Sequence, residues 1–182
     1  MAETSKFRGL ILTVIDRYTG EKPMSELDVI DIGSGDDPLT TSCDKFDLPH
    51  PYTVNCNVKE LTYKGDARVI DVIVTKKYDV VYSSHLLEDF ARNETAPVLE
   101  KWCSLLKDEG VIVLLLPDQQ RYEAFCKSRG EQPNVHHQIS EFSMEYIRVC
   151  FEKIPDMQII FCREMFEHGE YNFLIAAQKK ST

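Results

Sequence analysis

Clustered positive charge is absent from this sequence: 21 Lys and Arg stand against 30 Asp and Glu, giving a formal charge of -9, and no segment concentrates the cations. Binding a phosphate backbone needs a basic face, so the composition argues against nucleic acid as a partner. Also missing is any apolar run near the ~20 residues that cross a bilayer. The amino-terminal stretch lacks a secretory pattern, because Asp16, Arg17 and Tyr18 interrupt the apolar residues after Arg8 and no small-residue cleavage site follows. A cytoplasmic protein without a membrane partner is therefore expected. Cys43, Cys56, Cys103, Cys126, Cys150 and Cys162 never form C-x-x-C and have no metal-ligand spacing to a histidine. They read as reduced, mostly buried thiols, and no metal is expected.

Internal repeats and low-complexity linkers are lacking as well. With 182 residues the chain has room for one domain, since ~150 residues bury about two-thirds of their unfolded surface. A single unit over residues 1–182 is expected, and its oligomeric state is left open.

Apolar spacing supplies the elements. Phe7, Leu10, Ile11, Val14 and Ile15 recur at helical intervals, which predicts an amphipathic helix over residues 5–18 within an amino-terminal segment 1–22. Residues 27–32 read as a β-branched strand ending on Gly33. Residues 77–83 and 110–117 are nearly continuous apolar runs of the kind parallel sheets bury on both faces, and residues 94–106 between them have helical spacing. Strand, helix and strand make a right-handed crossover. A helix over 142–154, capped by Ser140 or Ser143, and strands over 157–166 and 171–179 complete the carboxyl-terminal part, 140–180, the two strands forming an edge hairpin. The middle, 36–76, contains Pro38, Pro49 and Pro51 and little periodicity; short strands are expected near 40–44 and 60–65, with a helix missing or reduced to a turn. The fold class is α/β: a Rossmann-like three-layer sandwich with a mostly parallel sheet and an antiparallel carboxyl-terminal edge hairpin.

Asp31-x-Gly33-x-Gly35 directly after a strand is a nucleotide-type turn, in which glycines allow tight torsions and a ligand's close approach to the main chain. Asp37 stands where a dinucleotide fingerprint has its third glycine. An anionic side chain there disfavours a diphosphate, so a cationic or zwitterionic ligand is expected.

LDVIDIGSGDDP, GDARV, YDVVYSSHLLEDF and LLKDEGVIVLLLPD, in that order, resemble the successive motifs of class I S-adenosylmethionine (AdoMet) dependent methyltransferases. The resemblance covers residues 27–117 in motif detail, making this the AdoMet-binding core, and the terminal helix and hairpin are similar to the end of that fold. It implies methyl transfer from AdoMet to a small or medium-sized acceptor with an oxygen or nitrogen nucleophile, possibly a sugar or metabolite; the alternative is a catalytically inactive binding or regulatory subunit. Ser83-Ser84-His85-Leu86 stands where base-methylating relatives have N-P-P-Y, which argues against nucleic-acid bases as acceptors.

Carried over by position, Asp31, Gly33, Ser34 and Gly35 would hold the amino-acid end of AdoMet, and Ser83 the floor beneath it. Asp44 would bind the ribose hydroxyls, with Asp47 its competitor. Asp66 would accept from the adenine amino group while the Ala67 amide donates to the ring. His85 and His136 are the candidate catalytic bases, Glu88 and His137 the candidate substrate contacts. Where similar proteins have H-x-L-E-H, this chain has His85-Leu86-Leu87-Glu88-Asp89, so any chemistry of that last histidine is absent.

Overall fold

Ile11, Val14 and Ile15 share one face of α1 (Glu3–Tyr18) and are buried against the sheet, which is why an otherwise charged segment is helical and docked. In this computed structural model, which describes residues 3–48 and 61–181, that helix covers one face of a sheet of seven strands ordered β3-β2-β1-β4-β5-β7-β6. The strands are β1 (Val29–Ile32), β2 (Asp44–Asp47), β3 (Tyr63–Lys64), β4 (Tyr78–Ser84), β5 (Leu106–Pro117), β6 (Met157–Met165) and β7 (Asn172–Lys179). β3 through β5 run parallel and β7 pairs antiparallel with both β5 and β6, the expected edge hairpin. Among the described residues no helix is long and apolar enough to cross a membrane.

Alternation along the strands divides the interior into two layers. Val29, Val80, Tyr82, Val113 and Leu174 face α1. Ile30, Ile32, Val81, Ile112 and Leu114 face the other way, toward α3 (Arg92–Ser104) and α5 (Met144–Phe151). Trp102 of α3 is fully buried, and its Nε1 donates to the Ala67 carbonyl at 3.0 Å, so the large ring is both packed and polar-satisfied. Of the two serines expected to cap the last helix, Ser143 does so, accepting from the Tyr146 amide at 3.3 Å.

The middle segment departs from expectation. Residues 40–43 form no strand: the Asp31 carboxylate accepts from the Leu39 amide at 2.7 Å, and Thr40 Oγ1 accepts from the Cys43 amide at 3.1 Å, bending the chain before it enters β2. β2 begins only at Asp44, paired with Ile30. The expected strand near 60–65 begins on a residue outside those described and is seen as the two residues of β3. The helix of that region is indeed reduced, to the single turn α2 (Ile70–Ile73). A helix not expected from apolar spacing, α4 (Gln119–Arg129), follows β5; Asp118 caps it, accepting from the Arg121 amide at 3.1 Å, and Gly130 ends it at φ 69°.

The strand order locates the ligand crevice. From β1 the chain moves outward through β2 and β3, then returns to place β4 on the other side of β1. At such a switch point the loops leaving the carboxyl ends of β1 and β4 diverge, opening the sheet's edge to a ligand.

Candidate active site

Gly33 and Gly35 leave β1 with φ of 73° and 49°, the left-handed torsions that admit glycine at little cost. The Gly33 amide donates to the Phe46 carbonyl at 2.8 Å and the Gly35 amide to Asp47 Oδ2 at 2.9 Å, fastening the turn to β2. Leu86 leaves no room for a side chain at Gly33: a Cβ there would stand 2.7 Å from Leu86 Cδ2. Beneath the turn Asp31 is 1% exposed, and burial, reinforced by the Asp47 and Asp37 carboxylates, pushes its carboxyl up to about 7 against the opposing Leu39 hydrogen bond.

The turn opens on a cavity of about 430 Å³ lined by Glu3, Ser34, Gly35, Asp36, Ser84 and His85, among others. Among the described residues its lining holds the carboxyl groups of Glu3, Asp36 and Asp37 and no lysine or arginine. Asp37, at its rim, is turned to α1, accepting from the Ser5 amide at 2.7 Å and from Arg8 Nη2 at 3.1 Å. Ser34 is buried, and among the described residues its hydroxyl has no hydrogen-bond partner. A neighbouring, almost entirely apolar slot runs between Gly33, Phe46, Asp47, Asp66, Ala67 and Leu86.

Two cofactor residues expected from the sequence lie differently from their assigned roles. Asp44 opens β2 instead of closing it, about 10 Å from Asp47 at ~3.3 Å per residue. It accepts from Lys76 Nζ at 3.1 Å and from the Tyr78 hydroxyl at 2.9 Å, at the amino end of the sheet and away from the crevice. Asp47 holds the carboxyl end that the ribose role requires. Ser83 is fully buried and donates to the Ile32 carbonyl at 2.8 Å, locking β4 to β1; its neighbour Ser84 reaches the cavity. Asp66 and Ala67 do line the apolar slot, with both Asp66 oxygens held by Arg68, whose guanidinium keeps that carboxyl below the usual range.

On the far side of His85 lies a second cavity, of about 350 Å³, which shares Glu3 and His85 with the first. Tyr122, Phe125 and Tyr171 wall it, with ring centroids 4.9–5.1 Å apart between Tyr171 and the other two. His85 stands just past β4 with φ 52°; its Nε2 meets Asn172 Oδ1 at 2.8 Å and its Nδ1 lies 3.3 Å from Glu88 Oε1. Asn172 Nδ2 donates to Glu3 Oε2 at 3.3 Å, which orients the amide oxygen toward His85 and makes Nε2 the donor. Burial alone would lower the His85 pKa, but the Glu88 and Glu3 carboxylates and Asn172 outweigh it and raise it.

His137 enters the same cavity with a side chain only 6% exposed, and burial lowers its pKa. Its Nδ1 meets Gln119 Oε1 at 2.7 Å, and Nε2 lies 3.8 Å from Glu88 Oε1. Thus His85, Glu88 and His137 converge as a set. His136 does not join them: it is exposed, and its amide donates to Asn134 Oδ1 at 3.0 Å in the preceding loop. Glu3, Gln119, Tyr171 and Asn172 belong to the site yet were not expected from sequence.

No protein-family model matches the sequence, and no curated protein matches it. Solved structures do. An S-adenosylmethionine-dependent methyltransferase from Clostridium acetobutylicum superposes on 98% of this chain and 92% of its own, with TM-score 0.69 and 10% identity. Magnesium protoporphyrin IX methyltransferase from Synechocystis, solved with bound S-adenosylhomocysteine, gives TM-score 0.62 and 15% identity over 95% of this chain and 83% of that one. An O-methyltransferase family protein from Burkholderia thailandensis gives TM-score 0.61 and 16% identity; this chain covers 58% of its length, with 98% of its own aligned. The architecture is therefore the Rossmann-like fold of class I methyltransferases.

Proposed function

We propose that the protein is an AdoMet-dependent methyltransferase acting on a small or medium-sized acceptor. One observation carries this reading: the crevice at the switch point is lined by Glu3, Asp36 and Asp37 and, among the described residues, by no lysine or arginine. Such a lining repels phosphates and suits a net cation such as AdoMet, whose ammonium and sulfonium outweigh its single carboxylate. The Ser34 hydroxyl, unpartnered among the described residues, and the close approach at Gly33 fit a ligand seated on the turn. Bound there, AdoMet supplies a methyl already activated on sulfur.

In this reading Asp31 and the Gly33, Ser34 and Gly35 turn hold the amino-acid end, Asp47 in place of Asp44 takes the ribose, and Asp66 and Ala67 border the adenine slot. His85 separates the cofactor cavity from the aromatic-walled one, which receives the acceptor. Positioning the nucleophile in line and excluding water supply most of the rate enhancement for an activated donor. A purely regulatory role leaves the convergence of the buried Glu88 carboxylate with His85 and His137 without an explanation. The test compares ligands by thermal shift. S-adenosylhomocysteine at 100 times its Kd should stabilise the protein by about 2.7 kcal/mol, while NAD, which carries a diphosphate, should do nothing. Stabilisation by NAD, or by neither, contradicts the reading.

A further inference from the structure

Hydrogen-bond directions around the second cavity fix what its occupant must offer. Gln119 Nε2 donates to Glu123 Oε1 at 2.8 Å, so the Gln119 oxygen is turned to His137, and His137 Nδ1 must be the protonated nitrogen. That leaves the Nε2 lone pair of a ring whose pKa burial lowers, facing Glu88 at 3.8 Å and Asp89 Oδ1 at 4.0 Å. Glu88 is 1% exposed; its Oε1 stands 3.3 Å from His85 Nδ1, and among the described residues neither Glu88 Oε2 nor the buried Asp89 Oδ1 has a hydrogen-bond partner. Among the described residues Glu88 Oε2, Asp89 Oδ1 and the His137 Nε2 lone pair are therefore acceptors without a donor. Left so, each costs about 1–3 kcal/mol of desolvation.

His85 does not supply the missing base. Its Nε2 hydrogen is spent on Asn172, and its Nδ1 lies against Glu88, which favours the cation. Arg129, the one lysine or arginine among the described lining residues, pairs with Glu131 at 3.0 Å and packs over Phe125. Aromatic faces beside a buried carboxylate make a site for a nitrogen cation on an apolar body.

Resting on the methyltransferase reading, we propose that the acceptor is a primary or secondary amine on an apolar, ring-sized body, held by Glu88 and deprotonated by His137 Nε2. A hydroxyl offers one hydrogen to this cluster, whereas an ammonium offers two or three. The ammonium gives one proton to His137 Nε2, and the nitrogen lone pair so freed forms the new bond to the methyl carbon. The carbon–sulfur bond breaks with its electron pair going to sulfur, which leaves S-adenosylhomocysteine and a methylated ammonium. His85, its Nδ1 3.3 Å from Glu88 Oε1, positions that carboxylate and does not take part in the transfer.

The test titrates phenethylamine and its neutral isostere 2-phenylethanol into the full chain saturated with S-adenosylhomocysteine. The amine should bind more tightly by about tenfold or more, the scale of one charge-assisted hydrogen bond, and Glu88→Gln should bring the two within about threefold. Equal affinities, or no saturable binding of the amine by protein that holds S-adenosylhomocysteine, overturn the proposal. Failure to hold S-adenosylhomocysteine at all overturns the methyltransferase reading instead. Long-range proton–nitrogen NMR of the histidines supplies an independent check: at about pH 7, His137 should show an unprotonated Nε2 and a protonated Nδ1. The opposite tautomer, or a doubly protonated ring, removes His137 as the base.

Discussion

Gly33 shows how much a single residue can decide here. It combines a left-handed torsion with a Leu86 side chain already where a Cβ would go. Gly33→Ala should cost about 1–3 kcal/mol of stability, measured by denaturant unfolding, because strain and overlap add. At Asp66 the expected effect falls on the ligand: Asp66→Ala should weaken S-adenosylhomocysteine binding by about 1–3 kcal/mol if the carboxylate meets adenine. A change of a few tenths in calorimetry assigns Asp66 to its Arg68 ion pair alone. The glycine turn, His85, Glu88 and His137 could be picked out of the sequence because their residue types carry chemistry beside a recognisable strand end. Their partners could not. Asn172 lies 87 residues from His85, and Glu3 lies 169 from Asn172. Nothing local in the sequence marks an asparagine on the last strand as the group that sets a histidine's tautomer.

Among the elements, β1, β4 and β5 were legible because both of their faces are covered, which demands unbroken apolar runs. β2 was displaced from its expected place because Thr40 and Asp31 use their side chains to bend the chain, an interaction that leaves no periodicity. α4 escaped apolar spacing because only Gln119 and Cys126 on it are buried; what it contributes is a wall of Tyr122 and Phe125. Two element-level outcomes follow. Trp102 ties α3 to the turn at Ala67, so Trp102→Ala should lose about 3–5 kcal/mol by cavity formation, read from equilibrium unfolding. Asp37 caps the first turn of α1 over the cofactor cavity through the Ser5 amide. Asp37→Ala should cost about 1 kcal/mol and speed hydrogen exchange at Ser5 while leaving the amides of Val14 and Ile15 protected.

For the whole molecule, acidity is organised and not merely abundant. The net charge of -9 includes Asp31, buried beneath the glycine turn and raised to about 7, and, near His137, Asp89, raised to about 6, both chiefly by burial. A carboxyl whose folded pKa exceeds its unfolded value of 3.8 binds protons more tightly when folded. Its contribution to stability is complete below about pH 4 and is lost as pH rises through about 7. The ligand-free protein should therefore lose stability between those limits, with Asp31 accounting for up to about 1.4 kcal/mol per pH unit. Asp31→Asn should flatten the profile in thermal unfolding scans; a profile rising with pH and unaltered by the substitution contradicts this origin. The acidic crevice at the switch point is also the basis of the functional account, and calorimetry with S-adenosylhomocysteine tests it most directly. Saturable one-to-one binding to the native chain, abolished in Gly33→Arg that still unfolds cooperatively, is the predicted result; no binding to the native chain, or unchanged affinity in the variant, contradicts it.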